Sequence, residues 1–176
     1  MKNTKNITFC AIMSALAAVF VIAAYFPYLT YALPAIAGLF VMVTLIEINA
    51  KWAVLTYLSS AIICFFTAES EAKLMYICFF GYYPILKSFI EKPKSRFLEW
   101  ILKLLTFNAA VLLAYFVFAG LFSVSIDDFS ILGKYGAFIF LALANGVFVL
   151  YDITVGRMAA VYLYNLHPKL KKIFKM

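Results

Sequence analysis

Apolar residues run along this chain in long blocks separated by short polar or proline-containing segments. A helix crosses the hydrocarbon core of a bilayer in about 20 residues, so blocks of that size, punctuated by Pro, Gly and charge, are read as spans. Six emerge, over about 7–26, 34–48, 52–68, 72–90, 98–122 and 136–166. The first stops at Pro27, whose fixed φ and missing N–H end a helix, and Pro34 stands in the first turn of the second, where no helical bond is lost. Gly81-Tyr82-Tyr83-Pro84 interrupts the fourth, and Pro84 removes the backbone bond to residue 80, which predicts a kink. The sixth block is longer than a membrane needs, so its last turns are expected to emerge into the cytoplasm. Lys2 and Lys5 ahead of the first block, with Ala23 and Ala24 near its end, give it the outline of a signal peptide. Its length exceeds the roughly 7–15 residues of a signal core, and it is read as a retained helix.

Composition changes the picture from helical to membrane-embedded. Of 176 residues, 66% are hydrophobic and 13% charged, against about 45–50% and about 25% in a soluble domain. The mean hydropathy is +0.99. A water-soluble fold of this size needs a polar coat that such a chain cannot supply. Six spans use about 120 residues and leave roughly 56, too few for a further soluble domain. The expectation is therefore an all-α integral membrane protein, one six-helix bundle over residues 1–176, with lipid as its surroundings.

Charge supplies the orientation. With both termini cytoplasmic, that side collects every Lys and Arg except Lys73 and Lys134, which fall outside beside Glu69, Glu71, Asp127 and Asp128. Five or seven spans would break this segregation. Topology thus accounts for the net charge of +7, and no nucleic-acid partner is called for. No internal repeat or low-complexity linker divides the chain. The basic turn 91–96 is the clearest midpoint, with four helices before it and two after.

Little in the chain suggests bond-making chemistry. Cys10, Cys64 and Cys78 lie in apolar spans without a C-x-x-C pair, which argues against disulfides and a zinc site. His167, the single histidine, precedes Pro168 in the basic tail and reads as a helix-terminal group in water. Metalloprotease, P-loop and dinucleotide motifs are absent from the sequence. An enzyme is not expected, nor a cofactor or metal.

Polar residues within spans are better clues, because each is costly in hydrocarbon unless paired or facing a cavity. Glu47, four residues before Lys51, is expected to pair with it at the cytoplasmic interface. Asp152 lies about 24 Å along the sixth helix, near the inner boundary, where Lys87 or Lys103 can reach it, and Arg157 can snorkel. Asn108 is a further polar residue within a span. Asn145, about 13 Å along the sixth helix, sits near mid-membrane and shares a face with Asp152. It is either a helix-to-helix hydrogen bond or a ligand contact. Tyr76 and Tyr115, toward the outer side, could wall a cavity beside Asn145, and Tyr31 in the first external loop could close it. Aromatic walls with a few amide or hydroxyl groups suit a small, flat, neutral or weakly charged ligand.

In the first helix, Ala11, Ala15 and Ala18 form a shallow groove in the cytoplasmic half where another helix can approach closely. With six spans, cytoplasmic ends and this A-x-x-x-A face, the chain resembles the substrate-binding S component of energy-coupling factor (ECF) transporters. The resemblance implies capture of a small, vitamin-like molecule at an outward pocket roofed by the first external loop. It also implies docking of the Ala11/Ala15 face on a transmembrane T protein that works with two cytoplasmic ATPases. The substrate does not carry over. A rival reading is a multi-span scaffold of the MreD type, with no ligand pocket. A third is an ion-coupled carrier using Asp152.

Overall fold

The computed structural model describes residues 2–26, 28–92, 95–122 and 136–168, and nearly all of them are helical, with no strand among them. Helix α1 spans Lys2–Ile22 and tightens into a 3₁₀ turn at Ala23–Tyr25. Phe26 then turns extended, one residue ahead of Pro27, as the residue before a proline must. Helix α2 spans Ala32–Glu47 and begins two residues before Pro34, because the N–H groups of a first turn have no intrahelical partner to lose. Only Ile48 and Asn49 separate it from α3, Ala50–Thr67. The Asn49 side chain accepts a bond from the Trp52 N–H at 3.2 Å, which caps the new helix.

The fourth apolar block is the irregular one. It divides into α4 (Ser70–Met75), a π-helical turn (Tyr76–Phe80) and α5 (Tyr83–Ile90). The kink expected at Pro84 is thus preceded by a π turn, in which the Gly81 N–H reaches back five residues to the Tyr76 carbonyl at 2.8 Å. Helix α6 covers Arg96–Phe122, and α7 covers Gly136–Val161 and runs into a second π turn, Tyr162–Leu166.

Two kinds of packing hold the bundle. Helices α1, α2 and α3 lie against one another most extensively. Their core is built of small side chains, with Ala17, Ala18, Ala37, Ala61, Cys64 and Ala72 closing around Val21 and Tyr76. Small residues let backbones come close, the way helices associate where lipid supplies no hydrophobic drive. Around α6 and α7 the core is aromatic: Phe79 and Tyr83 meet Phe148 and Ala110, and Phe107 stacks on Phe148 at 4.6 Å.

The outer surface is apolar. Ile62, Phe66, Leu105, Leu113, Val147 and Leu150 all point outward, a coat suited to lipid and not to water. Among the described residues, four helices are long and apolar enough to cross a membrane, at Asn3–Tyr25, Ala50–Thr67, Arg96–Ala114 and Leu141–Leu166. Helix α2 is apolar but shorter, and the fourth block is broken by its π turn.

Candidate functional site

Three of the residues expected to line a ligand pocket, Tyr31, Tyr76 and Asn145, each have a side-chain partner of their own. Tyr31, at the start of α2, is 60% exposed, and its hydroxyl donates to Glu71 Oε2 at 3.1 Å. This bond joins the first connecting loop to the start of α4. Partial burial, and behind it the Glu71 and Glu69 carboxylates, push the Tyr31 hydroxyl above its ordinary pKa. Tyr76 is fully buried in the small-residue core, and its hydroxyl is 2.6 Å from Ser60 Oγ on α3. Tyr115 lies on α6 at a position whose side chain is outside the described residues.

Asn145 takes the helix-to-helix role. Its amide donates to Asn108 Oδ1 at 3.2 Å, while the Asn108 amide donates to Asn145 Oδ1 at 3.1 Å. Each carboxamide also bonds the carbonyl four residues earlier in its own helix. No hydrogen bond among the described residues joins any two of Tyr31, Tyr76 and Asn145. Two open apolar grooves run along α3. One is lined by Leu58, Ile62, Phe65 and Ile77, the other by Val54, Tyr82, Leu86 and Phe89.

The most concentrated polar site is built around Asp152. Its Oδ1 accepts from the Tyr83 hydroxyl at 2.6 Å and from the Lys87 ammonium. Its Oδ2 accepts from Lys103 at 3.0 Å. Lys87 also donates to the Asp152 backbone carbonyl at 2.7 Å. Lys103 reaches Glu91 and Glu99, each at 2.7 Å, and Glu91 lies 3.2 Å from Lys87. Both lysines expected as alternatives are therefore used together. Asp152, Lys87 and Lys103 are buried, while the Glu91 side chain, 40% exposed, is the outlet of the cluster. With both oxygens of Asp152 engaged, the cluster ties α5, α6 and α7 at one level.

Sequence reasoning missed Tyr83, Glu91 and Glu99, although their spacing gives them away. Tyr83 and Glu91 stand four residues either side of Lys87, and Glu99 stands four before Lys103, so each falls on the face of its lysine.

Two expectations at the other end of α7 need correction. Glu47 does not pair with Lys51. Its Oε1 accepts from the Tyr162 hydroxyl at 2.6 Å and lies 2.9 Å from His167 Nδ1. The reason is local, because α2 ends at Glu47 and the Ile48–Asn49 break destroys the i,i+4 geometry the pairing needed. His167 is accordingly no free solvated terminus but a tie between the end of α7 and the end of α2.

The small-residue groove of α1 divides. Ala11 and Ala15 are exposed, whereas Ala18 is 4% exposed and belongs to the internal core. The groove offered outward is Ala11 and Ala15 alone, flanked by the exposed Ile7, Ile12 and Val19. Among the described residues no group of three or more His, Cys, Asp and Glu could hold a metal ion. Compared with known proteins, the chain matches no family model, no curated protein and no solved structure.

Proposed function

We propose that this chain is a multi-pass membrane protein with six spans and both termini cytoplasmic, acting as the substrate-binding subunit of an ECF-type importer. In this reading it binds a small vitamin-like molecule from outside. It then docks on a transmembrane T protein, whose two ATPases supply the energy that a chain without a nucleotide loop cannot. The observation that carries the reading is the outer face of α1. A small-x-x-x-small pair that served this bundle's own packing would be buried, as Ala17 and Ala18 are, yet Ala11 and Ala15 stay open to a further helix. The Tyr31–Glu71 bond adds support, since it fixes the first connecting loop over α4 where a roof on an outward site belongs.

A scaffold of the MreD type is the second reading. It is favoured by the interior, where Tyr76 and Asn145 spend their polar groups on Ser60 and Asn108. Purification of the tagged protein from its native membrane in mild detergent, followed by mass spectrometry of companions, separates the two. The importer subunit brings a T-type membrane protein, two ATPases and a small molecule. Cell-wall or cytoskeletal partners without a small molecule would establish the scaffold instead.

A further inference from the structure

Beside the ion cluster lie a donor and an acceptor that do not use each other. Tyr151 precedes Asp152 on α7, and its ring packs on Phe80 at 4.9 Å and on Tyr83 at 5.7 Å. Its hydroxyl is buried and has no hydrogen-bond partner among the described residues. The acceptor is the Phe80 carbonyl. Pro84, which has no N–H, stands four residues on, where the helical donor to that carbonyl would be. Both oxygens converge on Gly38 of α2. A Cβ there would lie 2.4 Å from the Phe80 oxygen and 3.1 Å from the Tyr151 hydroxyl.

The contrast with the next residue is sharp. Asp152 is supplied with donors by Tyr83, Lys87 and Lys103, while the Tyr151 hydroxyl has no acceptor among the described residues. A buried unmade bond is costly. Buried ion clusters add little net stability, and their best-attested use is to set register or to switch. Helix α7 is held by rings and polar contacts, outside the close alanine packing of α1, α2 and α3. The acceptor itself sits at the end of a π turn, a backbone form often found at functional sites.

We infer that α7 has two positions. In the one described here Asp152 holds it to α5 and α6. In the other, the Tyr151 hydroxyl donates to the Phe80 carbonyl across Gly38, and Asp152 gives up part of its donor set. Gly38 makes the second position possible, since any side chain would stand between the two oxygens. This inference is independent of the transport reading and holds equally for a scaffold.

Fluorine NMR of the full-length protein, labelled with 3-fluorotyrosine in lipid nanodiscs, tests it. The Tyr151 line is identified by its loss in Y151F. Lys103 contacts Asp152, Glu91, Glu99 and Trp100, so K103Q loosens the hold on Asp152 and leaves in place the rings of Phe79, Phe80 and Tyr83 against which Tyr151 packs. The expected result is a second Tyr151 line whose share grows at least about threefold in K103Q. A single line that K103Q leaves unchanged overturns the inference. If K103Q does not fold, Y83F, which removes one donor and no charge, is judged by the same criterion.

Discussion

Asp152 shows at the scale of one residue why a charge can be kept within apolar helices. Its carboxylate is surrounded by a hydroxyl and two ammonium groups, and the lysines in turn reach Glu91 and Glu99. Removing one partner of such a buried set strands the others, at a cost of about 3–5 kcal/mol. Asp152→Ala is therefore expected to lower the thermal unfolding midpoint in detergent far more than Asp152→Asn, which keeps an acceptor for Tyr83. Equal midpoints for the two variants would show that the charge lost in both, and not the acceptor that Asn keeps, sets the cost. Gly38 is the second residue with a definite constraint. A methyl group there meets the Phe80 carbonyl at 2.4 Å, and the obstacle is backbone. Overpacking of this kind costs about 1–3 kcal/mol, so Gly38→Ala should unfold at a lower temperature than wild type.

At the scale of elements, α6 and α7 meet through the reciprocal carboxamides of Asn108 and Asn145. Side-chain hydrogen bonds between membrane helices are worth about 0.6–2 kcal/mol. A double-mutant cycle over Asn108→Ala and Asn145→Ala, followed by thermal unfolding, should give a coupling in that range. A coupling of zero would mean that the two amides serve something other than each other. The end of α1 was legible in the sequence, because Pro27 acts on the residue before it through local backbone chemistry that needs no tertiary context. The π turns at 76–80 and 162–166 were not. A single extra residue in a helical turn leaves the apolar run intact and changes only which face each later side chain takes. The same limit applies to Glu47, whose partners lie on an element more than 100 residues away.

For the whole molecule, the pattern that predicted an apolar helical bundle came from length and composition, and the outward-facing Ile, Leu and Phe side chains agree with it. The ion cluster was half legible: a charge in a span demands a partner, and the lysines at the same depth were few. Which residues form a ligand site was not legible, since spacing assigns faces and the neighbour of each face is set by the packing of the whole bundle. Ala11 and Ala15 carry the functional proposal because they are exposed, whereas Ala17 and Ala18 are closed into the bundle's own core. The most direct test is a paired purification from native membranes of wild type and the Ala11→Leu/Ala15→Leu variant, with quantitative mass spectrometry of what each retains. Docking through α1 predicts that recovery of a T-type membrane protein falls by about tenfold or more, the equivalent of about 1.4 kcal/mol, while the retained small molecule is unchanged. Equal recovery of that partner by both proteins would contradict docking through this face.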